Sequence, residues 1–586
     1  MQHYQAPLDD MRYVIEEWLE APKDWQQMPA LAEIDASLAR QVLEEAARFA
    51  TEELTPLNAS GDRLGCTYAQ GEVRTPQGFA AAYQAFVDCG WPALTARPED
   101  GGQGLPQLLN VALLEMLYAS NHAWAMYTGI AHGAYECLRH HAPAWLRDRY
   151  LKAIVSGTVL PTMCLTEPQA GSDIGLLRCR AEAITDGSYQ LTGNKIFASG
   201  GEHDLTDDIL HLVLARLPDA PTGSRGISLF AIPKRLADGS RNAVHCDGIE
   251  HKMGIRGSAT CCLRFDQAKG WLLGEPHKGL EAMFLMMNSA RLYVGMQGLG
   301  HTESASQQAH TYARERRQMR AIARPKSAPH QTDADPIHYH PPVRQALLSL
   351  HLSSQGMRML GYWVAHLLDQ SEYAQTPEQR ERSTRLAALL TPLVKASFTE
   401  QGFRQASAAL QVFGGYGYSQ DYAIEQTLRD SRIAMIYEGT NEIQANDLLV
   451  RKVLREPEAL QALLALICDE AEKTGNLLNW RPAAQAVLAQ CTSLENAVAE
   501  IAKRSLGDAE VPYRVAGNFL CWLAQLSLGF VWLRAARLAE GRESDLQHLG
   551  KQESARCFFD RFEAEAQPYV LRVRSDLEST LPFFDA

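Results

Sequence analysis

Near position 430 the chain reads "LRDSRIAMIYEGTNEIQ", and one carboxylate there, Glu438, follows the apolar run Ile433, Ala434, Met435, Ile436 and Tyr437 and precedes Gly439 and Thr440. An unpaired charge is costly to bury, so a glutamate at the end of such a run either reaches water or is held for chemistry. In a desolvated pocket its pKa would rise, because burial disfavours the charged form. Three further stretches carry residues suited to holding a nucleotide: "CLTEPQAGSDIG" (164–175), "NKIFASGG" (194–201) and "QVFGGYGYSQDYAIEQTLRD" (411–430). Adjacent glycines let backbone approach a ligand closely. No G-x-G-x-x-G follows a strand signal and no G-x-x-x-x-G-K-[ST] occurs, so neither a Rossmann fold nor a P-loop is supported. A nucleotide cofactor must be held some other way.

The elements that must position these residues follow from periodicity. From about Leu31 to Ile154 apolar residues recur at helical spacing, as in "LARQVLEEAARFA" and "PQLLNVALLEMLYA". Around Leu160 the texture becomes Gly-punctuated and β-rich ("SYQLTGNKIFASGG", "ILHLVLARL", "RGISLFAIP", "CCLRFDQ"), which predicts a sheet or small barrel. Cys261 and Cys262 are expected to alternate across one strand. Helical spacing returns from Leu280 to about Met319, then over 343–370 and 377–413, as in a bundle. Pro457 opens a further helical region. The expected divisions are an N-terminal extension (1–30), a helical domain (31–160), a β domain (161–277), a helical bundle (278–455) and an appended helical domain (456–586). The fold class is mainly α with a central β domain.

Composition limits the function classes. At 586 residues the chain is too long for one core, and 46% hydrophobic with 21% charged residues fits a soluble globular protein. A net charge of −13 argues against nucleic acid held through phosphates, and so do 19 acids against 13 bases from Glu456 onward. Twelve cysteines without a C-x-x-C read as core residues of a protein in a reducing compartment. The N-terminus lacks a continuous apolar h-region, so a cytoplasmic home is expected. The uncharged stretch "VAGNFLCWLAQLSLGFVWL" is long enough to span a bilayer, but its polar members and charged flanks favour a buried core helix over peripheral membrane contact. The histidines and aspartates of "HQTDADPIHYH" match no compact zinc spacing, and no metal is expected.

Taken together and in order, "CLTEPQAGSDIG", "NKIFASGG", "QVFGGYGYSQDYAIEQTLRD" and "IYEGTNEIQ" resemble the acyl-CoA dehydrogenase family of flavoproteins over residues 50–455. The N-terminal "APLDDMRYVIEE" and the appended region resemble the long-chain-type bacterial branch, which includes the 3-methylthiopropanoyl-CoA dehydrogenases. That resemblance implies a helical domain, a β-barrel-like middle domain and a four-helix bundle, with an extra C-terminal helical domain here. It implies FAD as cofactor, with Cys164, Leu165, Thr166, Phe197 and Ser199 around the flavin ring. Arg316, Gln411, Gly414, Gly415, Thr440 and Glu442 stand where relatives hold the pyrophosphate and adenosine half across a subunit boundary.

By the same resemblance Ser172, Asn288, Arg291 and Gly439 face the acyl-CoA, and Glu438 is the base that takes the Cα proton as hydride leaves Cβ. Subfamilies lacking this glutamate carry the base on the long helix, where this chain has Ala290. Asn288 replaces a common Asp, Leu176 a small residue and Gln426 a Lys or Arg. The implied reaction converts a saturated acyl-CoA, medium to long by default, to the trans-2-enoyl-CoA in fatty acid β-oxidation, with electrons passed to an electron-transferring flavoprotein. A homodimer or dimer of dimers is implied. The alternatives are a 3-methylthiopropanoyl-CoA dehydrogenase, an acyl-CoA oxidase, and, from another class, a DNA-binding flavoprotein relative.

Overall fold

The structure, a computed structural model, describes residues 4–326, 333–542 and 544–578, with the side chains of Leu285, Asn288 and Glu578 outside that description. Helices α1 (Ala36–Phe49), α2 (Thr55–Leu64), α3 (Phe79–Asp88), α4 (Gln107–Ala125), α5 (Ala131–His141) and α6 (Ala144–Val155), with a small hairpin of Thr67–Ala69 and Glu72–Arg74 between α2 and α3, precede the strands of the main sheet. These are β1 (Val159–Cys164), β2 (Arg180–Ala183), β3 (Tyr189–Ser199), β4 (Asp208–Arg216), β5 (Ile227–Pro233), β6 (Val244–Ile249) and β7 (Thr260–Leu273). Then follow α7 (Gly279–Glu315), α8 (Pro341–Tyr373), α9 (Pro377–Phe413), α10 (Ile424–Ser431), α11 (Asn441–Asn446), α12 (Pro457–Gly475), α13 (Arg481–Ser505), α14 (Val511–Ala539) and α15 (Leu546–Glu578). The long helix expected to reach Met319 stops at Glu315. Met319 has φ +55, a left-handed conformation no helix continues through.

The chain divides into two compact units. The first holds the residues up to Ala6, Val42–Tyr293 and Gly415–Ile433. Its helical part centres on α4, buried on nearly every side, where Phe49, Phe86 and Trp124 meet edge to face or tilted at 5.4–5.9 Å between ring centroids. Each such fully buried aromatic contributes roughly 1.5–3 kcal/mol by area. Within α4, Asn121 leaves helical geometry (φ −155, ψ 85), and its Oδ1 accepts from Trp124 N at 3.1 Å, recapping the last turn.

The strands bear out the barrel-like reading. β4 pairs in parallel with β1 and, at one position, with β2; β2 pairs antiparallel with β3, β3 with β7, β7 with β5, and β5 back with β4. The ring therefore closes, and β1 and β6 attach to its side. β4 ("DILHLVLAR") is buried along nearly its whole length and β5 ("ISLFAIP") throughout, as strands covered on both faces must be. Cys261 is buried and Cys262 half-buried on alternate faces of β7.

The second unit holds Pro7–Gln41, Val294–Gly414 and the chain from Ala434 onward. Here α7 and α9 approach so closely that a Cβ on Gly298 would lie 2.2 Å from the Phe398 carbonyl oxygen, a contact only glycine permits. The N-terminal stretch is seated on the C-terminal helices. Asp10 accepts from both Arg358 and Lys551, and Trp18 Nε1 donates to the Val531 carbonyl at 3.2 Å. Burial would raise the Asp10 carboxyl, but the two cations outweigh it and hold the group at about 2. Among the described residues one helix, α14, is long and apolar enough to cross a membrane, and 78% of its apolar window is buried against this chain.

Candidate active site

The motif residues fall in both units. In the first, β1 ends at buried Cys164 and is followed by half-buried Leu165 and Thr166, whose carbonyl accepts from Ile196 N at 2.9 Å. That bond ties the motif to β3 where the β3–β7 register breaks, between Lys195 and Ala198. Phe197, inside the break, has φ +57 and leaves its ring 57% exposed. A non-glycine residue in left-handed geometry is strained, and such strain clusters where a side chain must be aimed. A large apolar ring standing in solvent next to the residue that binds the Thr166 carbonyl is a surface that a flat ligand would cover, and in this respect the residues fit a flavin. Ser199, at the end of β3, is half-buried and pairs with Thr260.

Behind this edge lies a charge pair the motif reading did not foresee. Glu167 and Lys195 are 3% and 0% exposed and sit 2.8 Å apart. Glu167 also accepts from the backbone N–H of Arg178 at 2.7 Å and Cys179 at 3.0 Å, and Lys195 donates to the Leu165 carbonyl at 2.9 Å. Burial pushes the Glu167 carboxyl up, but Lys195 and the two N–H donors prevail and its pKa is lowered. The pair clamps the loop bearing Ser172 and Asp173 to β3. Ser172 itself is exposed, and Asp173 Oδ1 accepts from Gly175 N at 2.9 Å. Arg291 is buried on α7, Gly415 is exposed, and the Asn288 side chain lies outside the described residues.

In the second unit Glu438 is half-buried and has φ +56, followed by Gly439 at φ +84. Its backbone is pinned from two sides. Gln444 Nε2 donates to the carbonyls of Glu438 (3.1 Å) and Gly439 (3.3 Å), and buried Lys395 Nζ donates to the Gly439 carbonyl (2.7 Å) and Asn441 Oδ1 (3.1 Å). The Tyr437 hydroxyl donates to Gln297 Oε1 on α7. Thr440 caps α11 through its hydroxyl, which accepts from Ile443 N at 3.4 Å, and Glu442 is exposed in the first turn. The signal for Lys395 was present in the sequence: a lone cation inside the apolar run "LLTPLVKASF" must find buried acceptors.

Arg316 and the Gln411–Gly414 turn are drawn together in the same unit. Tyr312 stacks on Phe413 with centroids 4.2 Å apart, and its hydroxyl donates to the Phe413 carbonyl at 3.3 Å. The ends of α7 and α9 thereby present a half-buried arginine, an exposed glutamine and Gly414, which has φ +60 and open space at its Cβ position. These are donors and bare backbone of the kind a pyrophosphate requires. Among the described residues no group of three or more His, Cys, Asp or Glu is placed to hold a metal. His338 and His340 instead face the carbonyls of Ala313 and Gln318, while His330 lies outside the described residues.

The end of the glycine-rich motif is a buried acid in the first unit. Asp430 accepts from Ile255 N, and a Cβ on Gly254 would lie 2.5 Å from its Oδ1. Gln426, in place of a cation, donates to Asn58 Oδ1 at 2.9 Å and to Asp430 Oδ2 at 3.2 Å. Burial, with the Asp62 charge nearby, raises Asp430 to about 7 against the lowering pull of Ile255 N–H, Arg429 and Gln426. A folded pKa above the unfolded value of 3.8 gives a contribution that is full below pH 3.8 and is lost as pH rises through about 7. Asp430→Asn should therefore gain stability relative to the unsubstituted protein between pH 5 and pH 8, read by urea unfolding at both. An equal difference at the two pH values would refute this.

Comparison with known proteins gives a consistent picture. Family models described as the N-terminal, middle and C-terminal domains of acyl-CoA dehydrogenase match residues 38–158, 162–268 and 277–453. A 3-methylmercaptopropionyl-CoA dehydrogenase of Ruegeria pomeroyi is 42% identical over 461 residues, 77% of each chain. A broad-specificity linear acyl-CoA dehydrogenase of Mycobacterium tuberculosis is 32% identical over 563 residues, 92% of this chain and 91% of its own. In three dimensions the chain is similar to Caenorhabditis elegans ACDH-11, solved with C11-CoA, at a TM-score of 0.79 and 19% identity, covering 100% of this chain and 96% of that one. The last likeness speaks for the fold.

Proposed function

This chain belongs to the acyl-CoA dehydrogenase family, and from that membership we propose that it oxidises a short acyl-CoA, 3-methylthiopropanoyl-CoA foremost, to its trans-2-enoyl thioester with Glu438 as the base. FAD, the cofactor of the family, supplies a hydride acceptor when bound. The observation that carries the reading is the fixed, strained backbone at Glu438: a left-handed glutamate is tolerated because Lys395 and Gln444 hold the carbonyls around it, which leaves the carboxylate aimed by main chain. Glu438 takes the Cα proton. Cys164, Leu165, Thr166, Phe197 and Ser199 would hold the ring. Arg316, Gln411, Gly414, Gly415, Thr440 and Glu442 would hold the phosphates and adenosine, and Ser172, Asn288, Arg291 and Gly439 the thioester and CoA.

The substrate choice rests on the Ruegeria relative, and the Mycobacterium relative favours medium to long linear chains as the second reading. Electrons leave to an electron-transferring flavoprotein in a homo-oligomeric enzyme. The twelve cysteines, all free thiols, support a reducing cytoplasm. The test is anaerobic addition of propanoyl-, 3-methylthiopropanoyl-, octanoyl- and palmitoyl-CoA to the purified yellow protein. Bleaching of the flavin band is expected with 3-methylthiopropanoyl-CoA at lower concentration than with palmitoyl-CoA. The reverse order would transfer the assignment to the long-chain reading, and no bleaching with any thioester would end both.

A further inference from the structure

In the first unit a cavity of about 50 Å³ lies against the short turn between α4 and α5. It has room for roughly three water-sized groups. Phe86, Leu113, Leu117 and Leu160 make its walls apolar, and among its polar lining residues Thr95, Asn110, His132 and Tyr293 form one network. These four are joined through Gln107. The Tyr293 hydroxyl donates to Gln107 Oε1 at 3.0 Å, and Asn110 Nδ2 donates to the Tyr293 oxygen at 3.1 Å. Because Gln107 Oε1 accepts there, its Nε2 is the atom that meets His132 Nε2, at 2.7 Å, and donates to it. The imidazole proton then sits on Nδ1 and is given to Thr95 Oγ1 at 3.0 Å. Burial pushes His132 down to about 4, so the ring is neutral and this polarity holds at neutral pH. The Thr95 oxygen is used as an acceptor, and among the described residues no acceptor takes its hydrogen.

The cavity adjoins the elements that carry the proposed chemistry. Leu160 belongs to β1, four residues before Cys164, and Ile130, Ala131, Met163 and Leu165 pack into one cluster with Met286 of α7. A Cβ on Gly133 would stand 3.1 Å from Met286 Cγ, so α5 and α7 are pressed together beside it. Tyr293 follows Arg291 by two residues on α7.

Resting on the acyl-CoA dehydrogenase reading, we propose that this cavity receives the end of the acyl group and that the Thr95 hydroxyl donates to a sulfur or oxygen there, selecting short thioether or ether acyl-CoAs over hydrocarbons of equal length. Thr95 is the contact, and Gln107 and His132 are positioning residues that fix which way its hydrogen points. An apolar wall with a directed hydroxyl donor suits a group that is mostly hydrocarbon with a single weak acceptor.

The test compares kcat/KM for 3-methylthiopropanoyl-CoA and pentanoyl-CoA, which differ by sulfur in place of a methylene. The unsubstituted enzyme should favour the thioether, and Thr95→Val, which keeps the shape, should lower thioether turnover about threefold to tenfold, the loss of one weak hydrogen bond, with pentanoyl turnover kept. Gln107→Met should reproduce this selective loss. Equal activity of the unsubstituted enzyme on both thioesters, or equal losses on both in Thr95→Val, would overturn the proposal. A protein that oxidises neither these two nor longer acyl-CoAs would instead defeat the family-level reaction on which it rests.

Discussion

Glu438→Gln is expected to lower the rate of flavin reduction by acyl-CoA by roughly a hundredfold to ten-thousandfold, the usual worth of a positioned general base. The substitution keeps the size of the side chain and its left-handed backbone, which Lys395 and Gln444 hold through main-chain carbonyls rather than through the carboxylate. The protein should thus remain folded and yellow. What it loses is the capacity to accept a proton. Anaerobic stopped-flow reduction reads the effect directly, since the flavin band reports the chemical step without an electron acceptor. The position on α7 where some relatives carry the base holds Ala290, buried and without a proton acceptor, so no substitute stands there. Reduction of Glu438→Gln at the unsubstituted rate would remove Glu438 from the mechanism.

Lys195→Met is expected to cost about 3–5 kcal/mol, because it strands the Glu167 carboxylate in the protein with its partner removed. Both side chains are essentially unexposed, and the two Glu167 contacts to the N–H groups of Arg178 and Cys179 would be left to hold a full buried charge. The lost Lys195 contact to the Leu165 carbonyl frees the strand end where the flavin ring is proposed to lie. Lower melting temperature should therefore be accompanied by weaker FAD retention. Pairing Lys195→Met with Glu167→Gln should recover part of the stability, since the uncompensated charge is then gone. A single substitution costing under about 1 kcal/mol, or a double substitution no better than the single, would show that the pair is not what clamps this edge.

Much of the architecture was legible in the residues. Helical spacing predicted α9 over the range it occupies, Pro377–Phe413, and the alternating, β-branched stretches after Leu160 predicted the strands that close into a ring. The uncharged run in α14 read correctly as a buried helix because Asn518, Gln525 and Ser527 interrupt it. Positions of local chemistry, such as Glu438 before Gly439 or Thr166 at a strand end, were likewise visible, since a motif is a run of neighbours and its residue types are read directly.

The sequence by itself determined the periodicities, the motif residues and the family, all of which are encoded in neighbours a few positions apart. Only the tertiary structure decided the partners: Lys195 with Glu167 across 28 residues, Lys395 with the Gly439 carbonyl across 44, and Asp10 with Lys551 across 541. It also decided the left-handed backbone at Phe197 and Glu438, and the direction of the Thr95–His132–Gln107 relay. The reason is physical: a buried polar group requires some partner, but which of many distant candidates reaches it is set by how helices and strands pack, and no local spacing records that.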